Sequence, residues 1–277
     1  MTSPIYNPDT KQVLDRITDT LPHALLLEGA VGVGLLTAAK SIAWRELAGI
    51  IQATDADGNT DLSAKGLIRV PQIRELIRAT RGKFTSRQVF IIDEADKMNP
   101  ASQNAFLKLL EEPAPNIHFI LTAHNPHTLL PTVLSRVQRL PMKLISTEDS
   151  KAFITKLGVT DTRKVQQLLF MASGRPAQLS RLVNDEKLFN EQAKLMADAR
   201  DFIGGKPYQR AIIAARYYGD RAKTLQLLTL AQSIISFSLA GNPSRDLVSM
   251  ADRLADAYDR ILANGNTRLQ LMNFVVH

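Results

Sequence analysis

The sequence predicts an α/β fold in its first half and an all-helical second half. Short apolar runs that suit buried strands alternate with helical segments up to about residue 143, and this alternation is typical of a parallel sheet covered by helices. After Pro141 no strand-like run remains, and the helical periodicity is broken by glycine and proline. At 277 residues the chain is longer than a usual single domain. We expect three domains: 1–143, 144–204 and 205–277.

Composition excludes several classes of protein. The chain has no cysteine, so it has no disulfide and no thiolate zinc site, and its 5 histidines lack metal-ligand spacing, so we expect no bound metal. No apolar stretch approaches the ~20 residues that span a membrane. The amino terminus has neither a basic start nor an apolar segment, as a secretory signal would. We therefore expect a cytoplasmic protein without a membrane partner.

The first strand leads into a glycine loop. Leu25–Leu27 is a short apolar run, and Leu35–Ala48 favours a helix, so the segment is predicted as strand, phosphate loop and helix. Gly29 and Gly34 have the spacing of the motif G-x-x-x-x-G-K-[ST]. Leu35 stands at its lysine and Leu36 at its magnesium-binding hydroxyl. The loop is degenerate, and we expect no tightly bound cofactor.

The helix after this loop carries the one tryptophan of the chain, Trp44. It is expected in the core.

Two carboxylates end the next clear strand. Val89–Ile92 is followed by Asp93 and Glu94, and in P-loop ATPases such a pair holds Mg²⁺ and orients the attacking water. The alternative is that both carboxylates only cap the strand and the following helix. Without a nucleotide, we expect the pair to remain as structural carboxylates.

A basic stretch precedes that strand. It contains Lys65, Arg69, Arg74, Arg78, Arg81, Lys83 and Arg87, against Glu75 alone. Arg74 and Arg78 lie one turn apart on a predicted helix. The stretch is either a solvated surface or a sequence-independent contact with DNA phosphates through Arg74, Arg78 and Arg81. No aromatic residue lies between Arg74 and Arg81, so base stacking is not indicated at these three arginines.

Arg136 follows the strand at 118–122 by a loop that Pro126 and Pro131 stiffen. Such an arginine is commonly a surface residue or an ion-pair partner. Rigidly held at the edge of a domain, it also suits an arginine finger that is supplied in trans to a neighbour's triphosphate.

The second half contains helices only. Ser146–Asp149 resembles a capping box, and Gly174 with Pro176 separates the next two helices. Gly204 and Gly205, followed by Lys206 and Pro207, form the clearest linker. Three helices are expected at 207–218, 221–239 and 244–262, before a short apolar tail.

Four segments together resemble the AAA+ family of bacterial replicative clamp loaders. They are Phe90–Asp96, Asn104–Pro113, Phe119–Thr122 and Leu129–Arg136, and the resemblance extends from His23 to about Gly174. It implies an AAA+ parallel-sheet domain of the P-loop type, a helical lid and a carboxyl-terminal collar that joins the subunits of a hetero-oligomer.

The resemblance also implies a role and partners. The chain would be a non-catalytic subunit whose Arg136 acts on ATP-Mg bound by a neighbouring ATPase subunit. The implied partners are those ATPase subunits, the clamp-opening delta subunit and, as a minor contact, primer-template DNA.

The sequence departs from the family pattern at several points besides Leu35 and Leu36. The sensor position after the strand falls on Ala123 or His124, and Gly174–Ala177 lacks an arginine in the register of the second sensor. Residues 49–69 are too short, and lack the thiols, for the zinc module of many relatives. Two alternatives remain: an active ATPase in which Thr37 or Lys40 replaces the missing groups, and a DNA-binding scaffold outside replication.

Overall fold

The computed structural model describes residues 4–61 and 66–276, and Lys65 lies outside them. It divides into two compact units, Met1–Asn184 and Asp185–His277. The division into three domains at 143 and 204 stays a prediction. The helix that ends at the predicted linker, Glu186–Gly204, belongs to the second unit.

A five-stranded parallel sheet forms the centre of the first unit. Its strands are β1 (Ala24–Glu28), β2 (Leu47–Ile51), β3 (Gln88–Ile92), β4 (Ile117–Ala123) and β5 (Gln138–Pro141), in the spatial order β2-β3-β4-β1-β5. The predicted α/β class is confirmed. Strands β2 and β5 were not predicted.

Eight helices accompany these strands in the described part of this unit. They are α1 (Pro8–Asp19), α2 (Leu35–Ala43), α3 (Val70–Ala79), α4 (Pro100–Glu111), α5 (Pro131–Leu134), α6 (Thr147–Lys156), α7 (Thr162–Ala172) and α8 (Pro176–Asn184). Proline occupies the first turn of α4, and Asn99 caps it by accepting from the Ser102 N–H at 2.8 Å.

The two faces of the sheet bury separate apolar clusters because strand side chains alternate. Leu26 packs with Phe106 and Phe119 on the face covered by α3 and α4. Leu25 and Leu27 pack on the opposite face, where α1 and α2 lie.

The expected position of Trp44 in the core is wrong. The predicted helix 35–48 ends at Ala43, and Trp44 has φ 28° and is 75% exposed. Residues 44–46 form a single 3-10 turn that leads into β2. The turn, with Gly49 and the β-branched Ile50 and Ile51 behind it, replaces the last helical turn and leaves the indole outside the core.

The second unit is helical: α9 (Glu186–Gly204), α10 (Pro207–Tyr217), α11 (Arg221–Gly241), α12 (Arg245–Leu262) and α13 (Thr267–Val276). The three predicted helices are confirmed, and the apolar tail is a further helix. By length and composition alone, α11 could span a membrane, with a mean hydropathy of 1.3. Leu227, Leu228 and Ile235 of α11 are buried in the core of this unit.

A buried carboxylate links two helices of the second unit. Asp198 of α9 accepts a hydrogen bond from the Tyr217 hydroxyl at 2.7 Å and pairs with Arg216 of α10 at 2.5 Å. Burial, and then the hydrogen bond to Asp198, raise the pKa of the Tyr217 hydroxyl.

Candidate functional site

The carboxyl ends of three adjacent strands bring the predicted site residues together. The glycine loop follows β1, Asp93 and Glu94 follow β3, and His124 follows β4. The Gly29 N–H donates to the Ala123 carbonyl at 3.2 Å. His124 Nδ1 lies 2.9 Å from the Gly29 carbonyl, which can only accept, so this nitrogen carries the proton. His124 therefore ties the loop to the end of β4.

The glycine loop has left-handed backbone at two glycines and is followed by two apolar side chains. Gly32 and Gly34 have φ of 88° and 99°, which favours glycine, and Gly34 begins α2. Leu35 is 3% exposed and packs in the cluster on the α1 and α2 face of the sheet, and Leu36 packs against it. Both leucines act as core residues.

The first turn of α8 lies against the glycines of this loop. The Gln178 N–H donates to the Gly32 carbonyl at 3.1 Å. A Cβ placed on Gly32 would lie 3.0 Å from the Cβ of Gln178, and one on Gly34 would lie 3.6 Å from that of Ala177. The loop is therefore a packing surface for α8, a contact that sequence reasoning missed.

Arg175 is the arginine nearest the expected second sensor, and its side chain is hydrogen-bonded to the end of α7. Its Nε donates to the Ala172 carbonyl at 2.7 Å and its Nη2 to that of Met171 at 2.8 Å, so the guanidinium covers the end of α7. Burial lowers the pKa of Arg175.

Protein groups engage both oxygens of Asp93. The carboxylate is 7% exposed, Oδ1 accepts from the Thr122 hydroxyl at 2.8 Å and Oδ2 accepts from Gln52 Nε2 at 3.0 Å. Sequence reasoning missed Gln52, since it follows a strand that was not predicted. Asp93 therefore has the geometry of a satisfied structural carboxylate.

Glu94 is held in a similar way. Its backbone has φ 53°, and its N–H donates to the Thr122 hydroxyl at 2.8 Å. Its carboxylate pairs with Lys97 at 2.6 Å and lies 3.8 Å from His124 Nε2. Within residues 4–61 and 66–276, no three histidine or carboxylate side chains form a cluster that could hold a metal ion.

Arg136 lies at the other end of the sheet. Its Nη2 is 3.0 Å from Glu111 Oε1 at the end of α4, and its Nη1 donates to the Thr132 carbonyl at 2.9 Å. Gln138 pairs with Leu25 in the sheet, so Arg136 lies near the level of His23, before the start of β1. Six residues at ~3.3 Å each separate that level from Gly29, so the loop is roughly 20 Å away.

The predicted basic face is only partly free. Arg74 and Arg78 are exposed on α3, Arg81 is exposed on the loop after it, and in the described part of the chain none of the three forms an ion pair. Two other cations of the stretch are used internally. Arg69 donates to the Thr54 carbonyl at 2.8 Å, and Arg87 pairs with Glu46 at 2.5 Å.

A family model described as "DNA polymerase III, delta subunit" matches residues 7–146, slightly more than half of the 277 residues. The chain belongs to this family. Its match to the delta' subunit of Pseudomonas aeruginosa is 29% identical and covers 58% of this chain and 55% of that protein. The match to the delta' subunit of Bacillus subtilis is 28% identical and covers 64% and 59%.

Gamma/tau subunits of DNA polymerase III are also similar. The gamma/tau subunit of Mycobacterium tuberculosis is 32% identical over 55% of this chain and 30% of its own length. The chain thus spans between about a third and three fifths of these relatives. A solved gamma-subunit-related protein of DNA polymerase III from Thermotoga maritima covers 97% of this chain and 98% of its own, with a TM-score of 0.55 and 18% identity. That likeness concerns the fold, which is the AAA+ fold with added helices.

Proposed function

We propose that this chain is a non-catalytic, delta'-like subunit of a replicative clamp loader in the cytoplasm, which supplies Arg136 in trans to a neighbouring ATPase subunit. Family membership and the likeness to gamma/tau and delta' subunits support a place in that complex. The observation that carries the non-catalytic role is the packing of Leu35 and Leu36 with an apolar cluster, at the positions where the motif has its lysine and its magnesium-binding hydroxyl.

Electrostatics also disfavour a nucleotide in this chain. A triphosphate carries about four negative charges, and a loop with only backbone N–H groups and a helix dipole offsets little of its lost hydration. Hydrogen bonds from Gln52 and Thr122 already hold the Asp93 carboxylate in place without a metal ion. We infer that ATP-Mg binds to partner subunits and that this chain holds neither nucleotide nor zinc.

The position of Arg136 supports an action in trans. An arginine side chain cannot cover the roughly 20 Å to its own loop. Both members of the Arg136–Glu111 pair are more than a third exposed, and exposed pairs contribute only about 0–1 kcal/mol. A neighbour's phosphate oxygens, which a guanidinium binds with charge-assisted hydrogen bonds, can therefore replace Glu111 at little cost.

The first test is Arg136→Ala in a loader reconstituted with its ATPase and clamp-opening delta subunits. Assembly should be unchanged, and the ATPase rate stimulated by clamp and DNA should fall, since arginine fingers contribute roughly 10³–10⁵ at a single site. Arg16→Ala, on the exposed side of α1, is the matched control. Unchanged turnover of the Arg136 variant at saturating ATP would sink the proposed role.

A second test separates this role from an active ATPase. Thr37 and Lys40 are exposed on α2, and the ATPase alternative needs one of them to bind phosphate. Titration of ATP-Mg into the isolated chain should give no heat of binding in the micromolar range. A micromolar dissociation constant would favour the ATPase.

The minor DNA contact is assigned to the free cations of α3 and its following loop. Arg74, Arg78 and Arg81 would touch phosphates only, so their replacement by alanine should weaken primer-template binding equally for all sequences. The affinity of the variant loader for primer-template DNA should also depend less steeply on salt concentration than that of the wild type.

A further inference from the structure

A second basic surface lies at the amino ends of β2 and β3. Leu47 pairs with Val89 at the start of these strands, so the turn before β2 and the loop before β3 meet at one edge of the sheet. The ion pair between Arg87 and Glu46 joins the two segments directly. We call the exposed side chains of the segments that lead into these two strands the Trp44 surface. They are Lys40, Trp44 and Arg45 before β2, and Arg81 and Lys83 before β3.

The charge of this surface has one sign. In the described part of the chain its four cations form no ion pair, and Glu46, the carboxylate beside them, is already paired with Arg87. Glu75, on the neighbouring α3, lies a turn before the end of its helix. An anionic ligand would therefore meet unpaired cations here.

One exposed aromatic side chain, Trp44, belongs to this surface. Trp44 is 75% exposed, which leaves an indole face open to solvent, and its φ of 28° is unusual for a bulky residue. Strained backbone of this kind costs about 1–3 kcal/mol and clusters at functional sites. Leu47, at the start of β2, is also exposed, at 36%.

We propose that the Trp44 surface binds single-stranded nucleic acid, with a base stacked on Trp44 and the backbone phosphates near Lys40, Arg45, Arg81 and Lys83. Proteins that bind single strands without sequence preference combine an aromatic platform with surrounding cations, as this edge does. A duplex would offer the indole no unstacked base. An acidic peptide would meet the same cations, so titration with poly-glutamate is part of the test.

The surface shares Arg81 with the proposed minor DNA contact but is separate from Arg136. Trp44 precedes β2 and Arg136 precedes β5, which are the two outer strands of the sheet. Four strand spacings of ~4.8 Å place them roughly 19 Å apart. The inference therefore stands or falls independently of the role of Arg136.

The test uses the fluorescence of Trp44 as its reporter, because the sequence contains a single tryptophan. Titration of the full chain with a 20-nucleotide oligo-dT should quench its emission as bases stack. Anisotropy of the labelled oligonucleotide should show about 5- to 150-fold weaker binding for Trp44→Ala, the range of a single base–aromatic stack. Trp44→Phe, which keeps an aromatic ring, should bind closer to the wild type.

Three further measurements make the outcome decisive. Trp44→Gly should lose as much affinity as Trp44→Ala, and since glycine accepts this φ without strain it controls for misfolding. The double variant R81A/K83A should lower the salt slope by about 1.4, and R74A/R78A should leave the quenching unchanged. Absence of quenching, equal affinity of Trp44→Ala and wild type, or equal quenching by poly-glutamate would overturn the proposal.

Discussion

The contact between the glycine loop and α8 predicts a specific effect of Gly32→Ala. Gly32 has φ 88°, and a Cβ there would approach the Cβ of Gln178 to 3.0 Å. Carbon atoms in favourable contact are about 3.5–4.0 Å apart, so the new methyl group must displace the first turn of α8. The substitution therefore tests whether α8 rests on the loop.

Two other glycines provide matched controls for the cost of placing alanine at a positive φ. Gly58 and Gly158 have φ of 89° and 84°, and neither would place a Cβ within 4 Å of another atom. Alanine at positive φ costs about 1–2 kcal/mol, of which about 0.4–1 kcal/mol is offset by the lower entropy of the unfolded chain. Gly58→Ala and Gly158→Ala should each lose about 1 kcal/mol. Gly32→Ala should lose about 2–4 kcal/mol, because overpacking adds about 1–3 kcal/mol.

Hydrogen exchange locates the effect. The Gln178 amide, which donates to the Gly32 carbonyl, should exchange about 5- to 150-fold faster in Gly32→Ala, the equivalent of that overpacking cost. Exchange in β3 should change little. If Gly32→Ala matches Gly58→Ala in unfolding free energy and in the exchange of α8, the packing interpretation is refuted.

Two more variants test the loop and the buried carboxylate. Leu35→Lys combined with Leu36→Thr should lower the free energy of unfolding by about 1.5–3 kcal/mol, the contribution of one buried leucine. Calorimetry should detect no micromolar binding of ATP by this double variant. Such binding would contradict the proposal that the loop holds no nucleotide. The pKa of Tyr217 in the folded chain lies above the ordinary tyrosine value of 10.0, so the stability it contributes is complete below about pH 10 and is lost as pH rises further. Tyr217→Phe should remove that loss in denaturation measured between pH 9 and 11, and should cost about 1–3 kcal/mol at neutral pH by leaving an Asp198 oxygen unpaired; an unchanged pH profile would exclude Tyr217 as its source.

Local patterns in the sequence predicted the predominantly apolar strands and the loops between them. Val89–Ile92 and His118–Thr122 are mostly buried runs with clear ends, so their composition and flanking residues were sufficient. Strand β2 failed this test because Leu47–Ile51 lies at the edge of the sheet, contains Gly49 and directly follows a helical segment rich in alanine. The missed strand also explains the errors at Trp44 and Gln52.

Contacts between distant segments could not be read from these patterns. The motif predicted that Leu35 would remove phosphate chemistry, but the partner of Gly32 comes from a helix that begins only at Pro176. Such packing depends on the turn at Gly174, with φ 74°, and on the arrangement of the helices α6, α7 and α8. Similarly, the exposed Glu111 gives no local signal that it will pair with Arg136.

The glycine loop is under two unrelated constraints. Gly32 and Gly34 are fixed by their backbone conformation and by the helix that rests on them, so they should resist replacement although no phosphate requires them. Positions 35 and 36 are fixed only by volume and apolar character, so other aliphatic side chains should serve there. In proteins that share this arrangement, we expect glycine spacing to persist long after the lysine is gone. A search for ATP sites by glycine pattern alone would then count subunits whose loop has become part of the core.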